Sequence, residues 1–476
     1  MGKYKTLAQN TGFVFIGTIG SKVINLIMLP LYTRWMAPEA FGAVDTMNTY
    51  AMFIVGFVCL CIPDAIFIFP RNVDEKKKSE YFSSGICFSL LALAASAVLF
   101  CGAQVWMKSQ RMDNVFSDYA WLIYGLMVTS FAQNYFQSFV RSLDKMLQYS
   151  ISGIVHTFSI AAYSILLVPK FGLYGYAFAM MLANVTATLY SFFSSGSIKY
   201  LSLQNSTINS VKEMLAYSAP LLPNGIMWWL VDGVNRPVME TYLGLSAIGL
   251  YAVAQKFSGL LYSMLNIFTL GWSNSAIDEY GKPGFEKFYN NYLKILSTTL
   301  VIGGIFLCAF SRTLVKIFAS PEYFEAYKYI PILTLGVIFS GMSGTVGGVF
   351  SAVKKSKYFF YSSVFGGVSS VVALMMLTPR LGLLGTTISV GFSFFIMLLA
   401  RAYFSWHYVK ILNVGFYFLL FGLYILLVVL EFTIDASWRF GVYVAVLALI
   451  TLFCRREITQ IVQLVKSKIK ERNINK

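Results

Sequence analysis

Apolar runs long enough to cross a bilayer recur about fourteen times along these 476 residues, and no other feature limits the fold as tightly. They fall near 11–33, 45–69, 81–103, 119–140, 147–168, 173–195, 214–232, 247–270, 292–311, 329–352, 358–378, 383–405, 411–430 and 438–454. About 20 helical residues span the roughly 30 Å of hydrocarbon, whereas a membrane strand needs only about 10. Lipid offers no partners for backbone N–H and C=O groups, so only helices or closed barrels cross it. Runs of this length choose helices. The chain therefore reads as an all-α integral membrane protein of about fourteen transmembrane helices, consistent with 57% hydrophobic and only 12% charged residues. A soluble domain carries about 25% charged residues. No cleavable signal peptide is expected, because the first run lacks a small-residue cleavage site and is too long for an h-region.

Lysine and arginine counts orient the chain. The tail and loops on the side of the N-terminus hold 25 of the 37 cations, and the opposite side holds 10. Both termini are expected to be cytoplasmic, with the basic segment 455–476 lying on anionic headgroups. The net charge of +16 is thus an orientation signal, and its spread over short loops argues against nucleic-acid binding. The six cysteines lie within or at the ends of spans and read as small apolar packing residues, with no disulfide framework.

The chain also repeats itself. "PLYTRWMAPEAFGAVDTMNTY" from Pro30 aligns on "PVMETYLGLSAIGLYAVAQKF" from Pro237 at an offset of 207, pairing Ala40 with Ala247 and Gly42 with Gly249. "VPKFGLYGYAF" from Val168 aligns on "TPRLGLLGTTI" from Thr378 at an offset of 210, pairing Pro169 with Pro379, Gly172 with Gly382 and Gly175 with Gly385. Spans 1–6 and 7–12 are thus two copies of one unit, and an even number of spans per copy makes the copies parallel. The expected layout is a six-helix lobe at 1–203, a second at 204–406, two extra helices at 407–454 and a cytoplasmic tail at 455–476. Repeats of this kind are typical of transporters that rock one half against the other around a central site, although a duplicated bundle need not transport anything.

Ionisable groups inside the membrane are costly and mark candidate sites. Lys22 lies near the middle of span 1, with Asn25 and Thr18 on its helical face. Lys256, beside Gln255 in span 8, reads as its counterpart in the other half. A lysine paired to an aspartate that holds helices together is the structural alternative for each. Asp45, Asp64 and Asp232 are the candidate ion-coupling carboxylates, for a proton or a sodium ion. An interfacial position also explains the first two, and an i,i+4 pair with Arg236 explains the third. In "APLLPNGIMWWL" the prolines Pro220 and Pro223 interrupt the helix, and Asn224, Trp228 and Trp229 follow at once. The tryptophans suit either stacking on sugar rings or anchoring at the interface. His156 reads as a hydrogen-bonded helix contact, and His407 as the end of span 12. No metal-ligand spacing, phosphate-binding loop or nucleophile elbow is present.

With these stretches in view, "IGTIGSKVINLIMLPLYTRWMAPEAFGAVD", "PLLPNGIMWWLVDGVNRPVMETYLGLSAIGLYAVAQK" and "IFTLGWSNSAIDEYG" resemble the bacterial polysaccharide-repeat flippases. These O-antigen and capsule transporters are the Wzx-like members of the multidrug/oligosaccharidyl-lipid/polysaccharide (MOP) exporter superfamily. The resemblance covers the whole chain. It implies two six-helix lobes around a central cavity, alternating access, and transfer of an undecaprenyl-pyrophosphate-linked oligosaccharide from the inner to the outer leaflet. Lys22 falls in the family's "GSK" segment, and Asn235–Arg236 where members often show Asp-Arg. Members often carry an arginine in the segment read here as "DAIFIF", where this chain has Ile68.

A lipid pyrophosphate is a compact anion crossing a low-dielectric region, and Lys22 and Lys256 would offset its desolvation. Arg236 joins them as a candidate cation, with Asn25, Asn48, Asn224, Trp228, Trp229 and Gln255 for sugar contacts. The expected partners are the lipid-linked oligosaccharide, membrane lipids and other polysaccharide-assembly proteins. No catalytic residue, metal or cofactor is expected. The alternatives are a lipid II flippase, an ion-coupled multidrug exporter of the same superfamily, and a membrane enzyme that modifies polysaccharide.

Overall fold

The computed structural model describes residues 20–433, 436–455 and 457–459, and the side chains of most of them. The first part of span 1 with Thr18, and most of the basic tail, lie outside the described residues. Among the described residues every regular element is helical and no strand occurs. The chain forms two compact units, one running to Ala252 and including Phe318–Tyr323, the other made of Val253–Ile317 and residues from Phe324 onward.

The first unit opens with α1 (20–35), α2 (Pro38–Val58) and the short α3 (Ile62–Ile68). Pro38 starts α2 where its missing N–H costs nothing. The run read as span 2 is broken where Leu60 and Cys61 both take positive φ, 46° and 56°. Next come α4 (Glu75–Ser109) and α5 (Val115–Ser142), capped by Asp74 and Asn114 through backbone N–H groups three residues on.

Helix α6 (Met146–Ser195) has 50 residues, which straight would reach about 75 Å, more than twice the bilayer core. It folds back at Gly172 (φ 53°, ψ −124°), a backbone conformation open essentially to glycine. A Cβ at Gly175 would stand 2.4 Å from the Leu167 carbonyl oxygen, so the second arm leaves the turn in contact with the first. The two arms are spans 5 and 6.

From Gly196 the chain is clamped onto the start of α4. Ser79 and Ser83 each donate to the Tyr200 carbonyl at 2.8 Å, and the Thr207 N–H donates to Ser84 at 2.9 Å. Glu80 accepts from Ser210 and Thr207, while Tyr81 donates to Glu213 at 2.8 Å. This polar clamp holds α7 (Ile208–Ser218) within the first unit, beyond the lobe boundary at 203/204 that the duplication suggests. A 3₁₀ turn at Ala219–Leu221, α8 (Leu222–Asp232) and α9 (Asn235–Leu243) follow. Both prolines sit where one helical segment gives way to the next.

Then α10 (Leu245–Glu279) begins against α2. A Cβ at Gly42 would lie 2.1 Å from the Leu245 oxygen, and one at Gly249 would lie 2.1 Å from the Pro38 oxygen. The offset of 207 relates Pro38 to Leu245 and Gly42 to Gly249, so the repeats meet in a reciprocal, two-fold contact.

The second unit contains most of α10 and α11 (Phe285–Phe318), then α12 (Ile330–Ala352), α13 (Lys357–Ser405), α14 (Val414–Thr433) and α15 (Ala436–Phe453). Helix α13 folds back as α6 does: Gly382 takes φ 60° and ψ −140°, and a Cβ at Gly385 would meet the Leu377 oxygen at 2.2 Å. The motif at offset 210 is therefore a hairpin turn that each unit needs. Fully buried Trp272 donates to the Thr345 carbonyl at 3.0 Å in this unit's core. Tyr424 on α14 donates to the Pro331 carbonyl at 3.1 Å, and Glu431 accepts from Tyr443 and lies 3.6 Å from Arg312. The two extra helices are thus built into the second unit. With each hairpin taken as two crossings, the elements follow the order of the apolar runs.

Candidate substrate-binding site

Helix α1 presents Lys22 as an exposed side chain and Asn25 as a half-buried one three residues on, facing the same way. Ser21, next to Lys22, accepts a hydrogen bond from Thr157 on α6 at 2.9 Å, which fixes α1 against the first arm of that hairpin. Asn48 is half-buried on α2. In the second unit Lys256 is exposed and Gln255 half-buried on α10. The register of the repeat corrects one expectation. At an offset of 207 Lys22 corresponds to Trp229 and Lys256 to Thr49, so the two lysines are not repeat equivalents.

Asp45 and Arg236 come together. Arg236 is 5% exposed, and its guanidinium donates from Nε to the Asp45 carboxylate at 3.0 Å. Nη1 donates to the Asp232 carbonyl at 2.7 Å and to Asn235 Oδ1 at 2.9 Å, and the group lies 5.0 Å from the centre of the Tyr251 ring. Asn235 in turn donates to the Tyr251 hydroxyl at 3.0 Å. Arg236 is thus a neutralised, multiply bonded cation joining α2, α9 and the start of α10. Asp232 and Asp64 are exposed, the latter on α3.

On α8, Trp229 stacks on Phe53 of α2, ring centres 3.9 Å apart and planes 19° from parallel. A Cβ at Gly233 would fall 2.2 Å from the same indole, so glycine is required beside it. Trp229 Nε1 and Asn224 Oδ1 are both buried and make no hydrogen bond among the described residues. A donor and an acceptor of this kind are groups that a hydroxyl can satisfy, since it both accepts and donates. Trp228 is half-buried on the same helix.

Sequence reasoning missed a pair of loop anchors in the first unit. Glu240 on α9 accepts from the Val115 N–H at 2.5 Å and from the Tyr50 hydroxyl at 3.0 Å. Its repeat equivalent, Thr33 on α1, accepts from the Ser320 N–H at 3.1 Å, while its carbonyl accepts from the Ser320 hydroxyl at 2.7 Å. The alignment at offset 207 pairs these two positions, but Thr and Glu share no side-chain chemistry that would have flagged them. Also missed was a polar cluster around His156 and Asn184, where only the histidine stood out in the sequence.

Solved structures of multi-pass membrane proteins share this fold. The inward closed conformation of the lipid II flippase MurJ superposes with a TM-score of 0.67 over 95% of this chain and all of that one, at 14% identity. An inward-facing multidrug resistance MATE transporter does so with a TM-score of 0.61 over 81% of this chain and 92% of its own, at 15% identity. Residues 7–271 match the family described as polysaccharide biosynthesis protein, and residues 237–376 match the MatE family. The chain belongs to the polysaccharide biosynthesis protein family. A relative, the capsular polysaccharide biosynthesis protein CapF of Staphylococcus aureus, is 22% identical over 84% of this chain and 99% of its own length.

Proposed function

We propose that the protein flips undecaprenyl-pyrophosphate-linked oligosaccharide repeat units from the inner to the outer leaflet of a bacterial plasma membrane, for assembly of a surface polysaccharide. Alternating access of the two lobes moves the lipid, both termini face the cytoplasm, and the work is transport without catalysis or a bound cofactor. The observation that carries this reading is the exposed Lys22 with Asn25 on one face of a membrane helix. An ammonium on a membrane-spanning helix is a cation suited to a compact anion, and a lipid pyrophosphate is such an anion. Arg236, already satisfied by Asp45, acts in positioning α2 against α9. Trp228 and Trp229 offer the sugar aromatic faces, Trp229 Nε1 and Asn224 Oδ1 offer it a donor and an acceptor, and Asn48 and Gln255 are further polar contacts. Lys256 is the second cation. Near full-length similarity to a capsular polysaccharide protein favours a surface-polysaccharide substrate over lipid II. Other polysaccharide-assembly proteins would supply and receive the cargo.

The test is an orientation-resolved flipping assay in proteoliposomes, with pyrophosphate-linked polyprenyl oligosaccharide and lipid II as separate substrates. Wild type should move the first faster than the second. Lys22→Ala and Lys256→Ala should fold and lose about tenfold in rate, equivalent to about 1.4 kcal/mol of lost headgroup stabilisation. Normal rates in both variants would sink the cationic site, and export of organic cations alone would sink the substrate class.

A further inference from the structure

His156 stands in the first arm of α6 among hydroxyl and amide groups from three segments. Its Nε2 lies 2.9 Å from Asn184 Oδ1 on the second arm. The Asn184 amide nitrogen donates to the hydroxyls of Thr129 and Ser130 on α5, at 3.2 Å each. Thr129 commits its own proton to the Gly125 carbonyl at 2.8 Å, so toward Asn184 it only accepts. That chain of donors turns the amide's NH₂ to α5 and its oxygen to the imidazole. Nε2 must then carry a hydrogen, and the neutral ring keeps its basic lone pair on Nδ1. No hydrogen bond occupies Nδ1 among the described residues.

The charged surroundings are one-sided. Residues 119–140 of α5 and both arms of α6, Lys170 at the turn apart, hold no carboxylate and no cation but His156 itself. Their other titratable groups are Tyr119, Tyr124, Tyr135, Tyr149, Tyr163, Tyr174, Tyr176 and Tyr190. From α1 come Tyr32, which donates to Ser164 at 3.3 Å, and Lys22, adjacent to the Ser21 that Thr157 contacts. On α2, which also packs against α6, Asp45 is committed to Arg236, so an anion brought in with the cargo is what would offset an imidazolium here.

We propose that His156 is a proton-binding residue coupled to the cargo: Nδ1 takes a proton from water as a pyrophosphate settles at Lys22, and returns it when the lipid leaves. The step forms one N–H bond at Nδ1 and breaks one O–H bond of a solvent hydronium ion, and no other bond changes. It needs no rearrangement either, because the imidazolium still donates from Nε2 to Asn184. Substrate movement thereby carries a proton. This inference rests on the headgroup reading of Lys22.

Calorimetry with undecaprenyl pyrophosphate in detergent, run in two buffers of different ionisation heat, counts protons taken up per lipid bound. Wild type should take up a fraction of a proton near neutral pH and bind roughly three- to tenfold tighter at about pH 6 than at about pH 8. His156→Gln keeps a donor for Asn184, so it should bind the lipid with fewer protons and a flatter pH profile. Asn184→Asp, which sets a carboxylate against the ring, should move the profile to higher pH and carries the test if His156→Gln does not fold. Equal proton counts and slopes in wild type and His156→Gln would assign the proton to the pyrophosphate itself and overturn the proposal, as would an unmoved profile in Asn184→Asp. Absence of lipid binding in folded wild type is a distinct result; it removes the headgroup reading and this inference with it.

Discussion

At the scale of single residues, the ion pair between Arg236 and Asp45 shows what helical spacing can and cannot reveal. Spacing within one helix suggests Asp232 as the partner of Arg236, four residues back. Arg236 does reach that residue, through its backbone carbonyl, but it also bonds the carboxylate of Asp45, which lies 191 positions earlier. Partners chosen across helices leave no periodicity to read. The pair is sheltered, with side chains 6% and 24% exposed, so removing one member strands a charge in a poor solvent. Asp45→Ala should lower stability in detergent by about 3 kcal/mol, and adding Arg236→Met should restore a good part of it. Thermal unfolding of the two variants and their combination decides the matter. Independent losses that simply add would show that the contact carries no coupling energy. Trp229 and Asn224 were legible as candidates because large aromatic and amide side chains after two prolines are conspicuous. That Trp229 Nε1 and Asn224 Oδ1 find no hydrogen bond among the described residues was not legible, since satisfaction of a hydrogen bond is a property of the surroundings.

Among the elements, the hairpins α6 and α13 were the most readable. Two apolar runs separated by a Pro, a Gly and a second Gly three residues later announce a reversal, and the repeat of that spacing shows it is required twice. The two arms touch only because Gly175 and Gly385 have no Cβ. Gly175→Ala should cost a few kcal/mol through the clash with the Leu167 carbonyl, which a backbone atom cannot relieve by rotating away. Gly102 in α4 has open space around its missing Cβ. Gly102→Ala should therefore be neutral or stabilise by up to about 1 kcal/mol. Denaturation midpoints of the two variants in detergent make the comparison, and similar effects would refute the close-approach argument. The break between α2 and α3 escaped the sequence, because Leu60 and Cys61 are not residues that advertise a positive φ. Division of the chain after Asp232 into α9 escaped too, hidden inside a stretch whose composition never changes character.

For the whole molecule, the duplication was visible at two offsets, yet the compact units do not follow it. The polar clamp on α4 and the reciprocal glycine contact draw the start of the second copy into the first unit, and neither involves an apolar pattern. Substituting Gly42→Ala or Gly249→Ala should therefore damage the protein to a similar degree, by a few kcal/mol each, because each Cβ would meet a backbone oxygen at 2.1 Å. Thermal unfolding of the two single variants tests this; a large effect from one and none from the other would show that the contact is not reciprocal in energy.

That contact also bears on where such a chain comes from. A surface patch that is its own complement, glycine facing glycine and each helix start facing the other, is what two separate copies of a half-length protein would share about a two-fold axis. Joined end to end, the pair no longer relies on concentration to meet, and its two faces need no longer be alike. One can then keep a lysine, Lys22, where its twin holds a tryptophan, Trp229, so that one ancestral sequence gives two chemically different faces.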